Sequence, residues 1–455
     1  MLRIPAVDSS LTPAVLLGGR ESALAAARGL RRTGVHVTVL GEVPDDAPWR
    51  HSDACVAGRV AGVADWMGWL MTAPAPAVLL PCGDPGAELI ARYRAELVAR
   101  GHRPVEANDG ASLSVLDKAR AYEIARAAGI GTPHAVRVRT VADIDDCAIT
   151  FPCATKPVHS HPFLRHYGGE AKGTMLSDRA HARRVLAPIL EAGFEMVLME
   201  MIRDAAHECL SWCAYLDEHS RPLACLTKAK VRQFPIDFGT GTYHVIRWEP
   251  DIEAAGLRFA QAAGLRGPVH IEFKRDVRDG EPKLIECNPR FPAPTALLAA
   301  AGVDLPLLAY NRLTGRVLPP RESPREGLAM WMDFRDLRAL RAYRRAGEMT
   351  VEGWARSLLR PQVPALFALD DPRPSLCAWC RRVCILARDR LGVPRRTAKA
   401  AAAGPYAGVP VQAPASSMGR MRAPRLGQRR RDAARAAHER AQTAALAAHG
   451  RPEHD

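Results

Sequence analysis

The sequence predicts an α/β protein, a doubly wound parallel sheet that continues into an α+β module. Over roughly residues 12–108, short apolar runs that end in glycine alternate with segments of helical spacing, such as "PAVLLGG" followed by "ESALAAARGLRRTG". This alternation is typical of a parallel sheet covered by helices. From about residue 110, strand patterns follow one another with short connections, as in "HIEFKRD" and "LIECNPR". These pairs indicate antiparallel sheets in the second part of the chain.

At 455 residues the chain is long enough for two or three domains. Beyond Arg395 it is rich in Ala, Pro and Arg and nearly lacks large apolar residues, which is typical of disorder. We therefore expect an α/β domain over 1–110, an α+β domain over 111–318, a helical extension over 319–394 and a basic disordered tail over 395–455.

The net charge of +14 belongs to the C-terminal part of the chain. Residues 1–320 hold 37 Lys and Arg against 36 Asp and Glu, whereas residues 321–455 hold 26 against 13. The charge therefore says nothing about partners of the main body. We expect a solvated tail, and a weak contact with an anionic surface is the alternative.

The chain shows no apolar run of about 20 residues, so no transmembrane segment is predicted. The first residues lack the continuous apolar stretch of a secretory signal. The eleven cysteines are scattered and several lie in apolar runs, which suits reduced thiols. We expect a cytoplasmic protein.

Two predicted neighbouring strands carry a set of oxygen ligands. Glu286 and Asn288 lie two residues apart, so they share one face of a strand, and a hairpin would bring Glu272 alongside Glu286. Carboxylate and amide oxygens suit Mg²⁺ bridged to phosphates. Arg290 follows at the strand end. The alternative is that each residue is an exposed polar position on a two-faced strand.

Phosphate-binding candidates lie earlier in the chain, although the P-loop pattern is absent. The stretch "YGGEAKGT" offers glycine N–H groups and a lysine. One further lysine lies within a helix predicted from Ser112 to Gly129 or Gly131, and another lies within a strand. The alternative for the glycine stretch is a plain turn, and the alternative for Lys156 is a lysine on an edge strand. The candidates are Gly168, Gly169, Lys172, Gly173, Lys118 and Lys156.

The order of these motifs resembles the ATP-grasp superfamily over about residues 12–318. The motifs are "LDKARAYEIARAAGIGTP", "FPCATKP", "YGGEAKGT", "VLMEMI" with "HECLSW", "HIEFKRD" and "LIECNPR". The resemblance implies a pre-ATP-grasp domain and then a two-lobed module, with a small lobe over 111–200 and a large lobe over 201–318. The stretches "KAKVRQFPIDFGTGTYHV" and "FALDDPRPSL" are similar to bacterial predicted carboxylate–amine ligases of that fold.

The resemblance also implies roles for residues. Lys118 and Lys156 would contact the ATP phosphates, and Gly168, Gly169, Lys172 and Gly173 would form the loop that closes over them. Glu200, Met201 and Ile202 would hold the adenine, and Glu208 the ribose, with His207 as a rival for that role. Glu272, Glu286 and Asn288 would hold Mg²⁺, with Mn²⁺ as an alternative, and Arg290 would steady the transferring phosphate.

The implied reaction is ATP-dependent ligation of a carboxylate to an amine or a thiol through an acyl-phosphate. Lys228, Lys230 and Arg232 are candidates for gripping the acidic substrate, and a solvated hairpin is their alternative reading. The rival function among enzymes is that of a carbamoyl-phosphate, biotin-carboxylase-like or purine-pathway enzyme. The rival outside enzymes is a non-catalytic nucleotide-binding protein recruited by its tail. Homodimers are common among the proteins that the chain resembles, so a homodimer is one expectation.

Cys377, Cys380 and Cys384 follow a C-x-x-C-x-x-x-C spacing without a second pair, so zinc is not favoured. The same segment has apolar residues at helical spacing opposed by arginines. We expect an amphipathic helix docked on the protein, and a helix lying on a membrane surface is the alternative.

Overall fold

The computed structural model describes residues 4–41, 47–60, 62–167, 173–202, 209–236, 238–318 and 323–390. The first domain is a five-stranded parallel sheet in the order β3-β2-β1-β4-β5. All four of its strand pairs are parallel, as the strand–helix alternation predicted. The elements are β1 (Ala14–Leu17), α1 (Glu21–Arg32), β2 (Val37–Leu40), β3 (Val56–Ala57), α2 (Trp66–Thr72), β4 (Val78–Pro81), α3 (Asp84–Ala99) and β5 (Arg103–Pro104).

A four-stranded antiparallel sheet follows, in the order β6-β9-β7-β8. A separate apolar core lies between this sheet and its helices, because alternate side chains of β7 and β9 point into it. The elements are α4 (Asp109–Leu116), α5 (Lys118–Ala127), β6 (Ala135–Val138), α6 (Val141–Asp146), β7 (Cys153–Pro157), α7 (Ser160–Tyr167), β8 (Thr174–Leu176), α8 (Arg179–Glu191) and β9 (Met196–Met199).

The third sheet has six antiparallel strands in the order β14-β13-β10-β11-β12-β15. Both predicted hairpins form here, one from β10 and β11 and one from β13 and β14. The elements are β10 (Cys209–Leu216), β11 (Pro222–Phe234), β12 (Thr240–Ile246), α9 (Pro250–Ala263), β13 (Gly267–Arg275), β14 (Pro282–Asn288), α10 (Thr295–Ala300), α11 (Leu305–Thr314) and β15 (Ala329–Trp331).

The large sheet has two different faces. One face packs its apolar side chains, among them Trp212, Ile271 and Cys287, under α9. The other face packs its far end against the parallel domain, where Cys213, Leu226 and Ile246 join the first core. The remaining part of this second face carries polar side chains, and it forms one wall of the candidate site.

The C-terminal extension is helical, with α12 (Asp333–Arg345), α13 (Val351–Ser357) and α14 (Arg373–Arg390). It also supplies β15, which pairs with β12 and was not predicted. Helix α14 corrects the expectation of a helix docked by its apolar side, since Leu376, Trp379 and Val383 are 57, 48 and 59% exposed. In the described part of the chain, no helix has the length and apolar character to cross a bilayer.

Candidate functional site

The carboxylates predicted to bind metal lie side by side. Glu272 of β13 and Glu286 of β14 are direct cross-strand partners, and His270 is the partner of Asn288. Partners in an antiparallel pair point to the same face, so these four side chains share the polar face of the large sheet. Cys287, between Glu286 and Asn288, points into the opposite core. The arrangement gathers two carboxylates and an amide at one end of the hairpin.

Two lysines extend this face across β10 to β11, Lys228 buried and Lys230 partly buried. Ser211 is the partner of Glu272 on one side and of Lys228 on the other. The Lys230 Nζ lies 3.3 Å from Glu272 Oε1, and the Lys228 Nζ donates to Ser211 Oγ at 3.0 Å. Burial alone would raise the pKa of Glu272, but the neighbouring groups, with Lys230 first and Lys228 among them, together outweigh burial and hold that pKa well below its usual range. Glu272 is therefore ionised.

Lys118 reaches the carboxylates from the start of α5, a helix whose buried side chains share the core of the large sheet. The sequence predicted one helix from Ser112 to Gly129 or Gly131, but the chain breaks at Asp117, whose carboxylate accepts from the N–H groups of Ala119 and Arg120. The break makes Lys118 the first residue of α5. Its Nζ donates to Ser160 Oγ at 2.9 Å and lies 3.8 Å from Glu286 Oε1. Lys118 thus links α7 to the carboxylates of the large sheet.

Lys156 on β7 belongs to the same electrostatic neighbourhood. Burial lowers its pKa, the nearby charge of Lys118 acts in the same direction, and Glu286 opposes both. Gly173, where β8 approaches β7, has no room for a side chain, because a Cβ there would lie 2.4 Å from the Thr155 carbonyl oxygen. Of the other loop candidates, Gly168, Gly169 and Lys172 lie outside the described residues.

Arg290 lies between the large sheet and the parallel domain. Its Nη2 donates to Asn288 Oδ1 at 3.1 Å, and its Nε pairs with Asp84 at the start of α3. Burial alone would lower the pKa of Arg290, but Asp84, with the nearby charges of Glu286 and Glu272, outweighs burial and raises that pKa. Asp84 was missed from the sequence, because a single aspartate at a helix start is usually a local capping residue. The cleft between α3, α7 and β14 is lined by Asp84, Lys118, Ser160, Glu286 and Asn288.

Two histidines on the polar face were also missed. His270 is 7% exposed, and neither of its ring nitrogens has a hydrogen-bond partner among the described residues. His244 is the partner of Lys230, and its Nδ1 is likewise unpaired within the described ranges. Burial, followed by the charge of Lys228, lowers the pKa of both histidines well below its ordinary value. They are neutral polar groups beside the lysines.

Arg232 does not join Lys228 and Lys230. Lys230 pairs with His244, whereas Arg232 pairs with Tyr243, so Val231 is an extra residue in β11. Such a bulge turns the following side chain to the other face. The Arg232 guanidinium there binds both carboxylate oxygens of Asp336 at 2.9 and 2.7 Å and lies 4.0 Å from the centre of the Tyr243 ring. The spacing of two that predicted a substrate contact is broken by the bulge.

The residues predicted to hold the adenine, which are Glu200, Met201 and Ile202, follow β9 directly. The Glu200 N–H donates to the His134 carbonyl, and its carboxylate accepts from the His134 N–H at 3.2 Å. The same carboxylate forms an ion pair with Arg278 at 2.5 Å. Met201 is partly buried and Ile202 is buried. The predicted ribose ligand, Glu208, and its rival, His207, lie outside the described residues.

The polar face is suited to a polyanion held with a hard cation. Two adjacent carboxylates repel unless positive charge lies between them, and here Lys118 and Lys230 supply it. Among the described residues, no group of three or more His, Cys, Asp and Glu is arranged to hold a metal. The oxygen set is instead Glu272, Glu286 and Asn288, which is compatible with Mg²⁺ that keeps several ligands from water and phosphate.

The comparison with known proteins agrees with this architecture. Residues 216–332, from the end of β10 to β15, match the family model described as ATP-grasp in the biosynthetic pathway with Ter operon. A D-aspartate ligase of Enterococcus faecium (strain Aus0004) is 27% identical over 239 residues, which cover 50% of this chain and 56% of that protein. The chain thus spans about half the length of the curated relative it matches.

Solved structures share the fold. The ADP complex of N5-carboxyaminoimidazole ribonucleotide synthetase gives a TM-score of 0.55 at 14% identity, covering 71% of this chain and 82% of that one. The L-amino acid ligase from Bacillus licheniformis gives 0.51 at 15% identity, covering 70% and 79%. These identities support the fold alone. Together with the family model over residues 216–332, they bear out the resemblance to the ATP-grasp superfamily that was drawn from the sequence.

Proposed function

We propose that the protein is an ATP-dependent, Mg²⁺-requiring ligase that joins a carboxylate to an amine through an acyl-phosphate. The observation that carries the proposal is the pairing of Glu272 with Glu286 on adjacent strands, with the Lys118 Nζ 3.8 Å from Glu286 Oε1. Carboxylates for a divalent cation and amines for phosphate oxygens thereby face one another across a cleft. The likeness to a D-aspartate ligase supports an amine as the second substrate.

Lys118 and Lys156 are the proposed contacts of the ATP phosphates, assisted by the loop of Gly168, Gly169, Lys172 and Gly173. Lys118 is buried and its neighbours are Ser160 and Glu286, so its charge is directed into the cleft. Glu200, Met201 and Ile202 are the proposed adenine contacts and Glu208 the ribose ligand. The carboxylate of Glu200 is held by Arg278 and His134, so the backbone of Met201 and Ile202 is the better candidate for the base edge.

Glu272, Glu286 and Asn288 are the proposed Mg²⁺ ligands. When bound, the cation would neutralise charge on the phosphoryl group during its transfer. Arg290 lies beside Asn288 and is fixed by Asp84, which preorganises its guanidinium for the transferring phosphate. No protein nucleophile is required, so the residues act by position and charge.

Lys228 and Lys230 are the proposed contacts of the acid. Lys228 is fully buried and donates one hydrogen bond, to Ser211, so its charge is available for a carboxylate. The carboxylate oxygen of the acid would attack the γ-phosphorus and release ADP. The amine would then attack the acyl carbon, lose a proton and expel phosphate. A closed cleft would keep water from the acyl-phosphate.

The test is ADP release by the purified full chain with Mg-ATP and pooled acids and amines, followed by mass spectrometry of the products. Glu272→Gln should reduce turnover by about two orders of magnitude, because an amide is a poorer ligand and leaves Lys230 without its partner. Glu96→Gln, which changes an exposed carboxylate on α3, is the matched control.

Each rival function gives a different result. Turnover that needs bicarbonate or formate and no other acid supports a biotin-carboxylase-like or purine-pathway reaction. Stabilisation of the fold by ATP without ADP release from any pool supports a non-catalytic nucleotide-binding protein. An unchanged turnover in Glu272→Gln contradicts the assignment of the metal ligands.

A further inference from the structure

Helix α14 turns an apolar stripe outward. We define the stripe as Leu376, Trp379 and Val383 with Cys380 and Cys384, which lie on one side of the helix at spacings of three and four residues. All are exposed, and the three large side chains are about half or more accessible to solvent. Ser375 and Pro374, on the opposite side, are buried. Trp379 also packs against the Phe334 ring of α12, at 4.5 Å between centroids, so about half of its side chain faces solvent, as do most of Leu376 and Val383.

The helix is held in this orientation by its beginning. Asp371, which is fully buried, accepts from Arg28 Nε at 2.9 Å, from Ser52 Oγ at 2.5 Å and from the Asp53 N–H at 3.1 Å. The Asp370 carboxylate pairs with both Nε and Nη2 of Arg32 at 2.7 and 2.8 Å. These contacts fix the residues before α14 on the parallel domain. The outward direction of the stripe is therefore set by a buried ion pair.

The apolar surface continues next to the stripe and carries positive charge. Phe367 and Leu369, on the segment that leads into α14, are 45 and 73% exposed. The sequence of α14 holds five arginines against one aspartate, and Arg373 and Arg381 are exposed. From residue 391 onward, the sequence adds twelve Lys and Arg against four Asp and Glu. Exposed aromatic and aliphatic side chains flanked by arginine are typical of helices that lie in a lipid headgroup layer.

We propose that the outward face of α14 binds the surface of an anionic lipid bilayer. The stripe would enter the headgroup layer while Arg381 pairs with lipid phosphates. Arg373 is ion-paired with Asp53 at 2.6 Å and adds to the positive charge nearby. Charge decides between this partner and a second copy of the chain. Pairing two copies through α14 would bring the arginines of both helices together, whereas an anionic surface complements them. This proposal concerns a surface separate from the nucleotide cleft, so it stands or fails independently of the proposed ligase activity.

The test is sedimentation of the full chain with vesicles of phosphatidylcholine alone or mixed with phosphatidylglycerol. We expect binding to the mixed vesicles and little to the neutral ones. The triple variant Leu376→Ser, Trp379→Ser and Val383→Ser should bind at least about tenfold more weakly, because it removes the side chains that would enter the lipid. Brominated lipid should quench part of the tryptophan fluorescence, and Trp379→Phe should remove that quenching while keeping the binding.

Leu359→Ser, at a side chain that is 83% exposed elsewhere in the extension, is the matched control and should bind like the parent chain. The substituted side chains are about half or more exposed, and the one ring contact removed is that of Trp379 with Phe334, so the thermal unfolding temperature should fall only slightly. ATP binding should be unchanged. Equal binding by the triple variant, equal binding to both vesicle types, or no binding at all overturns the proposal. A triple variant that loses a dimer in light scattering, with no vesicle binding by the parent, assigns the stripe to a contact between copies and equally overturns it.

Discussion

Replacement of Arg232 by methionine separates a structural role from a substrate contact. In the folded protein the Arg232 guanidinium is 1% exposed and binds Asp336, which is fully buried, through two hydrogen bonds. It also donates to Ser357 Oγ at 3.0 Å and lies over the Tyr243 ring. Methionine fills much of the same volume but removes the charge and its donors.

The expected loss of stability depends on the hydrogen bonds that Asp336 keeps after the substitution. Thr242 Oγ1 and Trp354 Nε1 still donate to it at 2.8 and 2.7 Å, so the carboxylate is not left bare. A buried ion pair broken on one side costs about 3–5 kcal/mol. With a urea dependence of about 3 kcal/mol per molar, the unfolding midpoint should fall by roughly 1–2 M. The double variant Arg232→Met with Asp336→Leu should recover a large part of the loss, since no charge stays buried alone.

The assay is urea unfolding followed by fluorescence, together with the affinity for ATP measured below the unfolding transition. We expect the stability to fall while the affinity for ATP and for the acid stays within about twofold of the parent. Lys230→Met, two residues earlier but on the cleft face, is the control and should give the opposite pattern. If Arg232→Met leaves the unfolding midpoint unchanged and abolishes binding of the acid, Arg232 does face the substrate and the bulge has been misinterpreted.

Three further predictions concern other parts of the chain. Lys156→Met should weaken ATP binding about tenfold or more in calorimetry, because it removes a charge-assisted contact, whereas Lys283→Met, whose lysine pairs with Asp279, should not. His244 has a folded pKa lowered by burial, so the unfolded chain takes up its proton first as the pH falls below about 6.5 and stability is lost there. His244→Gln should therefore reduce the slope of the unfolding free energy against pH between pH 7 and pH 5 by up to about 1.4 kcal/mol per pH unit. Parallel plots of unfolding free energy against pH for the variant and the parent would contradict this. Asp371→Asn should cost about 3 kcal/mol by leaving Arg28 charged and buried, and it should speed cleavage by trypsin within α14, while unchanged cleavage would contradict the anchoring role.

The sequence was sufficient to predict which part of the chain forms a parallel sheet, which part forms antiparallel sheets, and that the two carboxylates pair, although it did not predict β15. The reasons are physical. Alternation of period two identifies which side chains share a face, and a short connection identifies which strands pair. Glu272 and Glu286 meet because both rules hold across one hairpin. The same rule failed at Arg232, because the extra residue in β11 changes the face without any mark in the composition of the strand.

Other parts of the site depend on contacts between distant segments. Asp84 reaches Arg290 from a helix 206 residues earlier in the chain, and no local pattern marks such a contact. His270 was visible in "HIEFKRD", at the same period as Glu272, and the spacing of two was the signal that identifies it. The break between α4 and α5 also had a signal, since Asp117 before a helical run is a frequent helix cap. The outward side of α14 could not be predicted, because either side of an arginine-rich amphipathic helix can face the protein.

The pairing of β15 with β12 has a consequence for where the chain can be shortened. Without residues 329–331, the backbone N–H and C=O groups of β12 along Tyr243–Val245 would lose their partners and form an open border of the large sheet. Open borders of this kind recruit strands from other molecules. A truncation that stops at residue 318 should therefore aggregate during expression. A chain that also keeps Pro361 and Val363, whose backbone groups bond to Ala329 on the outer side of β15, and continues through Asp371 should stay dispersed.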